Sequence, residues 1–393
     1  MALKEPSLTV GIEEEYYLID SASRDLAADP PGAMMEGLRA LLGDQVTSEF
    51  LRAQIEVETR VCRTVGEARA DLYRLRVAVA EVAARHGLAP IAASTHPFAR
   101  WQQQHHVEKE RYQVLARDLQ AVARRLLISG MHVHVGIEDE DLRIDLMNQA
   151  VYFLPHLLSL TTSSPFWGGE DTGLKCYRLT VFDALPRTGL PERYDSYSEY
   201  QRMLGQLVGA GLIEDGTKLW WDIRPNARFP TLEMRITDIC TYVEDAVTVA
   251  ALFQCLLSML FRLRRLNQRW RIYPRILVHE NRWRAQRYGI EGELVDFGKG
   301  ELVPYRSLLE EIIELVREDA ERLDCLAEVE RARDIIRRGT SAERQLRAYK
   351  AALDQGADKD EALSAVVDLL IADTVAGLDD ARAGLEIVGA DPT

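Results

Sequence analysis

The sequence predicts an α+β fold: a largely antiparallel sheet, helices packed on one side of it, and a helical C-terminal part. Three observations lead there. Segments that alternate polar and apolar residues fall before residue 240, separated by turns, loops and single helices. From Glu244 onward nearly every segment repeats its apolar residues at helical spacing. No repeat period or low-complexity linker interrupts the 393 residues. Strands followed by a run of helices suit a segregated α+β arrangement. One domain is expected over residues 1–393, sheet-rich over 8–240 and helical over 244–385.

The elements follow in order. Residues 8–20 and 46–60 read as strands with acidic residues set among apolar ones. Residues 65–86 form a helix, with Val65, Ala68, Leu72, Leu75, Val79 and Val82 on one face and Gly87 as its C-cap. A short strand is expected over 88–94, an amphipathic helix over 107–127, and a strand over 127–137 in which His132 and His134 alternate with apolar residues. Residues 142–160 are helical, and 163–173 are a loop holding Gly168, Gly169 and Gly173. Three more strands are read at 175–183, 219–224 and 231–237, the last two joined by the Pro-bounded turn 225–230. Helices are then expected at 246–270, 305–322, 327–339, 342–355 and 359–383.

Composition narrows the function classes. A formal charge of −14 argues against nucleic acid as the main partner, because a phosphate backbone needs a basic footprint. The five cysteines, Cys62, Cys176, Cys240, Cys255 and Cys325, are scattered and show no C-x-x-C spacing. A reducing cytoplasm fits them, with no disulfide framework. The first nine residues have no long apolar run, so no signal peptide is expected. Residues 246–261 are apolar but short of the roughly 20 residues a membrane span needs. They read as a buried core helix and imply no membrane partner; used as a subunit interface instead, the same helix would make a homodimer.

Chemistry concentrates at i, i+2 positions on the strands. In Gly11-Ile12-Glu13-Glu14-Glu15-Tyr16-Tyr17, Glu13 and Glu15 point to one face and Glu14 to the other. The same spacing recurs in Gln54-Ile55-Glu56-Val57-Glu58, in Gly130-Met131-His132-Val133-His134-Val135-Gly136, and in Thr231-Leu232-Glu233-Met234-Arg235. Crowded carboxylates repel one another, and burial worsens it. A hard divalent cation between them resolves the conflict. A solvated edge strand is the alternative for Glu13 and Glu15 alone, and hydrogen-bonded core histidines are the alternative for an isolated His-x-His. An oxygen-rich donor set suits Mg2+ or Mn2+, with zinc second because His-x-His also serves zinc. Arg178, Arg224, Arg228 and Arg235 lie on or beside these strands. A second cluster, Asn281-Arg282-Trp283-Arg284-Ala285-Gln286-Arg287, reads as a helix face that is either solvated or grips an anion. No P-loop, no G-x-G-x-x-G after a strand and no nucleophile elbow is present.

Five stretches carry a family resemblance: V-G-I-E-E-E-Y from Val10, G-M-H-V-H-V-G from Gly130, S-P-F-W-G-G-E-D-T-G-L-K-C-Y-R from Ser164, W-D-I-R-P-N-A-R-F-P-T-L-E-M-R-I-T-D-I-C-T from Trp221, and residues 281–289. In this order they resemble the glutamate–cysteine ligase type 2 family of carboxylate–amine ligases. The resemblance implies a sheet of the glutamine-synthetase-like type and an ATP-dependent enzyme that joins a glutamate-like carboxylate to an amine, such as that of cysteine, through an acyl phosphate. It implies metal-binding roles for Glu13, Glu15, Glu56, His132 and Glu233. Arg235 would face the transferred phosphate with Glu233 beside it, and Arg178, Arg224, Arg284, Arg287 and His134 would bind the nucleotide. Glu58 competes with Glu56, since the register is open by two residues. Cys176 stands where the resemblance leads one to expect a small hydroxyl residue. The loop 163–173 is a candidate lid. A metal-dependent hydrolase and a non-catalytic nucleotide-binding protein are the competing readings.

Overall fold

The computed structural model describes residues 4–105, 107, 120 and 125–378. Its centre is a seven-stranded antiparallel sheet. The strands are β1 (Val10–Asp20), β2 (Val46–Ser48), β3 (Gln54–Glu58), β4 (Leu88–Ile91), β5 (Met131–Gly136), β6 (Ile223–Pro225) and β7 (Thr231–Met234). Their order is β6-β7-β5-β1-β3-β2, and β4 pairs with the far end of β1. The long strand β1 is therefore central, bonded to β5 over Val10–Glu14 and to β3 over Glu13–Tyr17.

Alternation along these strands gives the sheet two unlike faces. Val10, Ile12, Tyr16, Ile55, Val57, Val133, Val135 and Leu232 point back into the main core. Behind them lie the helices Val65–Ala84 and Val243–Arg265. The first is started by Thr64, whose side chain accepts from Glu67 N–H at 3.1 Å. The second has Glu244 and Asp245 in its first turn and Arg262, Arg264 and Arg265 in its last, matching the helix dipole at both ends. It is long and apolar enough to cross a membrane, but 89% of its most apolar window is buried inside the protein, as expected of a core helix. Its polar residues have internal partners: Gln254 donates to the Leu8 carbonyl at 2.7 Å and Ser258 to Asp319 at 2.5 Å. The C-terminal helix Tyr305–Arg322 packs against it and shares its core. Helix Lys359–Thr374 instead reaches the front, where Leu363, Val366 and Leu370 cluster with Tyr17, Ile19 and Ile91.

Several boundaries differ from those the sequence suggests. Residues 46–60 are not one strand: Glu49–Ala53 turn the chain back, so β2 and β3 form a hairpin with Glu56 opposite Thr47. Phe50 and Leu51 leave the ladder because they fill the front apolar cluster. Residues 175–183 are not a strand either. Only Cys176 makes a bridge, and Arg178–Phe182 is a short helix, which folds the Arg178 side chain back onto Gly130. The 142–160 helix is interrupted by a 3-10 turn at Val151–Phe153, just before Pro155. The loop 163–173 contains a two-residue hairpin, Phe166–Trp167 with Glu170–Asp171, whose turn is Gly168 and Gly169, both at positive φ. Most of the helix expected over 107–127, and the end of the one expected over 359–383, lie outside the described residues.

Candidate active site

The register of the sheet assembles the front face. Glu13 stands opposite His132 on one side and Glu58 on the other; Glu15 stands opposite Glu56. His134 stands opposite Glu233, which stands opposite Arg224. Partners in an antiparallel ladder share a face, so Glu13, Glu15, Glu56, Glu58, His132, His134, Arg224 and Glu233 all project to the front. Glu14 alone of the three consecutive glutamates projects backward, fully buried.

Two contrasting halves meet at Glu13. The first is rich in carboxylates. Three groups of side chains have ligand atoms within 4.8 Å of one another: Glu13, His134 and Glu233; Glu13, Glu56 and His132; and Glu15, Glu49 and Glu56. Glu13 and Glu56 each belong to two groups, and Glu58 belongs to none among the described residues. Geometry thus favours Glu56 over Glu58. Glu49, on the β2–β3 turn, was not singled out by sequence reasoning, because it lies off the strand alternation that identified the others. Its only signal is its place directly after β2, two residues beyond Thr47, which stands opposite Glu56.

Electrostatics follow from this crowding. Burial, then the Glu49 carboxylate, pushes Glu15 up to about 7, although Arg178, the Gly130 N–H and Arg235 oppose it. Burial and the carboxylates of Glu49, Glu13 and Glu15 hold Glu56 well above the usual carboxylate range. Burial and Glu13 also raise Glu58. Glu13 behaves oppositely: burial works against its charge, but His134 and His132 outweigh burial and hold it well below the usual range. His132 Nδ1 is 2.8 Å from Glu13 Oε2. Burial and the nearby Arg235 pull His132 down to about 4, so it is a neutral ring at pH 7. Burial works against the charge of His134 too, but Glu13 reverses that and raises it.

The second half is built on arginine. Glu233 is 1% exposed, and Arg224 meets it with Nε at 3.0 Å from Oε2. Asn226 donates to the same oxygen at 2.8 Å, and Arg235 pairs with Oε1. Burial would raise the Glu233 carboxyl, yet Arg235 and Arg224 hold it well below the ordinary range. Arg178 is buried and lies along Gly130, where an added Cβ would sit 2.9 Å from its Cζ. Its Nη atoms make only long contacts of 3.4 Å to the carbonyls of Arg235 and Ile236. The Nε atoms of both Arg178 and Arg235 are buried without a hydrogen-bond partner among the described residues. Buried donors left unsatisfied are costly, and an anion would satisfy these two.

Not every residue chosen from the sequence joins this face. Arg284, half-buried, and Arg287, exposed, lie on helix Arg275–Tyr288, where Arg284 donates to the Glu293 carbonyl at 2.6 Å and Arg287 to the Gly173 carbonyl. Their neighbour Arg282 is buried in ion pairs with Asp222, at 2.7 Å, and Asp183, at 2.6 Å. Cys176 is also buried, its thiol donating to Asp238 at 3.1 Å beside Ser164, which donates to the same carboxylate at 2.7 Å. A thiol thus does here the donating work expected of a hydroxyl.

The donor set fits a hard divalent cation. It is mostly carboxylate oxygen with two imidazoles, which is the preference of Mg2+ or Mn2+. His134 Nε2 supplies a further sign: it is 2.7 Å from Glu13 Oε1 and has no other partner among the described residues, so an ion held by Glu13 would meet an imidazole nitrogen beside it.

Comparison with known proteins gives a consistent picture. The model of the family described as glutamate-cysteine ligase family 2 matches residues 9–368. The chain is 64% identical over 380 residues to a Rhodospirillum rubrum protein provisionally named glutamate–cysteine ligase 2, covering 96% of this chain and 98% of that one. A protein of the same provisional name from Jannaschia sp. is 54% identical over 365 residues, covering 93% and 96% of the two chains. Among solved structures, glutamate–cysteine ligase from Francisella tularensis in complex with AMP superposes with a TM-score of 0.67 over 98% of this chain and 92% of that one. At 13% identity that likeness is one of fold.

Proposed function

The chain belongs to glutamate–cysteine ligase family 2, and from that premise we propose that its front sheet face performs ATP-dependent ligation of a glutamate-like carboxylate to an amino-acid amine, cysteine being the first candidate. The observation that carries the reading is the division of one face into a carboxylate-rich half and an arginine half that meet at Glu13 and Glu233. Phosphoryl transfer from ATP to a carboxylate brings anions together, so catalysis is mostly positioning and charge neutralisation.

Glu13, Glu15, Glu49, Glu56, His132, His134 and Glu233 would hold Mg2+ or Mn2+, which when bound offsets the charge of phosphate oxygens. The chain's own residues do the rest. Arg235 and Arg178, with unpartnered Nε–H groups, bind oxygens of the transferred phosphoryl group or of the accepting carboxylate. Glu233 and Arg224 keep Arg235 in place, since Glu233 is shared by both guanidinium groups. Arg224 is itself anchored to the carbonyls of Thr217, at 2.9 Å, and Leu219, at 2.8 Å. The accepting carboxylate becomes an acyl phosphate, which a neutral amine then attacks to release phosphate. The loop 163–173 is suited to exclude water from that intermediate.

The test is product formation by purified protein. With ATP, Mg2+, glutamate and cysteine, ADP and phosphate should appear only when both amino acids are present. Hydroxylamine in place of cysteine should trap the acyl group as a hydroxamate. ATP turnover that ignores the carboxylate, or amide hydrolysis without ATP, would defeat the reading.

A further inference from the structure

We propose that Arg76 and Glu14, on the back of the sheet, are positioning residues that hold the two halves of the front site in register. The proposal rests on the reading of the front face just given. Neither side chain is accessible: Arg76 is 2% exposed and Glu14 0%. Both lie on the face opposite the proposed ligands.

The bonding of Arg76 is complete. A guanidinium has five N–H donors, and here each has an acceptor. Nε donates to Glu14 Oε2 at 2.8 Å, and Nη2 to Glu14 Oε1 at 2.5 Å. The second Nη2 hydrogen meets the Cys240 carbonyl at 2.8 Å. Nη1 donates to the Thr241 carbonyl at 2.6 Å and, at 3.4 Å, to that of Thr374. Tyr16 O–H adds a bond to Glu14 Oε2.

These partners belong to the two chain segments that build the site. Glu14 sits between Glu13 and Glu15, so fixing its carboxylate fixes the twist of β1 where both neighbours leave the strand. Cys240 and Thr241 end the segment that begins with Glu233 and Arg235. That segment is tied to β5 by the Thr237 hydroxyl, which donates to the Met131 carbonyl at 2.6 Å. Asp238 ties it to the loop 163–173, accepting from Ser163 N–H at 2.9 Å. One planar, rigid group therefore spans from the strand of the carboxylates to the segment of the arginine half.

Stability alone does not account for such a pair. Burying both charges is costly, and apolar residues of similar volume commonly do as well. What the fork supplies and apolar packing lacks is a fixed distance and direction between two backbones.

Two variants test this. Arg76→Lys keeps the charge but loses the two-sided fork. The double variant Glu14→Leu with Arg76→Met removes both charges, so that no lone charge is buried. Thermal midpoint, Mn2+ affinity by electron paramagnetic resonance titration, and kcat with KM for glutamate are measured, with Glu13→Gln as control. Folded variants should bind Mn2+ at least tenfold more weakly and lose at least tenfold in kcat, with KM for glutamate changed less than threefold. A folded variant with Mn2+ affinity and kcat within twofold of wild type overturns the positioning role. Failure of both variants to fold also overturns it, by leaving the pair a folding element. If Glu13→Gln itself binds Mn2+ like wild type, the reading of the front face falls first, and this proposal falls with it.

Discussion

Replacing Glu15 by glutamine should stabilise the metal-free protein, and the structure sets the size of the effect. Burial and Glu49 push the Glu15 carboxyl from its ordinary 4.5 to about 7. At about 1.4 kcal/mol per unit, ionising it in the folded state costs about 3 kcal/mol at most. The sign follows from linkage. A carboxyl whose folded value is raised binds its proton more tightly in the folded state, so its contribution is fully favourable below pH 4.5 and is lost as pH rises through 7. Glutamine keeps an oxygen for the Gly130 N–H, which lies 2.7 Å from Glu15 Oε2, and removes the charge. For a chain of 393 residues the unfolding entropy is about 0.8 kcal/mol per kelvin, so the midpoint should rise by about 4 °C at pH 8 in chelator. Near pH 5 the difference should shrink to about 1 °C. His134 is raised and loses its contribution as pH rises above 6.5, while His132 is lowered to about 4 and adds stability as pH rises from there to 6.5. Both remain in the variant, so the difference between the two proteins isolates Glu15. Mg2+ at a thousand times its Kd should invert the order, because it adds about 4.1 kcal/mol to the protein that binds it, more than the variant's advantage of about 3 kcal/mol. Scanning calorimetry at pH 5 and 8, with and without Mg2+, decides the matter. A lowered midpoint for Glu15→Gln in chelator at pH 8 would refute the reasoning.

Four further outcomes are expected. Arg235→Lys should lower kcat about a hundredfold, about 3 kcal/mol of transition-state stabilisation, with little change in midpoint; a full kcat with a lowered midpoint would leave Arg235 a purely structural partner of Glu233. Glu233→Gln should cost about 3–5 kcal/mol of stability, because it leaves Arg224 and Arg235 buried with a neutral partner; an unchanged denaturant midpoint would contradict the shared pairing. Glu56→Gln should raise the Mg2+ concentration needed for half-maximal rate at least tenfold, while Glu58→Gln should change it less than threefold, and equal effects in a metal titration would reopen the choice between them. Gly130→Ala should cost about 1–3 kcal/mol by driving a Cβ into the Arg178 guanidinium, with a matching fall in kcat; wild-type values of both would show that Arg178 does not need that seat.

Alternation made the front face legible in advance, because a period of two is a property of the strand itself and survives any error in the neighbours. It placed Glu13 and Glu15 together and set Glu14 apart. It placed His132 with His134 and Glu233 with Arg235. What it could not show was pairing. Glu56 and Glu58 have the same parity and stand opposite Glu15 and Glu13 in turn, so only the spacing of the ligand atoms in the folded site separates them. Glu49 escaped because a turn, not a strand, carries it. The segment 175–183 was misread as extended because its β-branched and aromatic residues look strand-like. Tertiary packing overrides that preference by drawing Arg178 onto Gly130. In the 281–289 cluster, charge density pointed to an anion site, yet Arg282 is spent on Asp222 and Asp183 and its neighbours bind carbonyls.

The division of the face also explains why so many buried charges can coexist. Among the described residues Glu233 is the only carboxylate of the site that two guanidinium groups hold directly, and it lies well below the ordinary range. Glu15 has Arg178 and Arg235 only as opposing neighbours and is driven upward by burial and Glu49, while Glu56 is driven upward by burial and by Glu49, Glu13 and Glu15. One half is therefore already neutralised by the chain, and the other is left needing positive charge. A site that neutralised all its carboxylates with arginine would be more stable, but it would hold no cation to meet the phosphates. A site with none of its arginines would repel the carboxylate substrate. Glu13 marks the boundary, since its ionised form is held by two imidazoles and not by a full guanidinium. Imidazoles can yield such a partner at lower cost than arginine, because they can be neutral. The instability retained in the carboxylate half is thus the counterpart of its affinity for metal, and the buried arginine pairs beside and behind it keep that unstable half in shape.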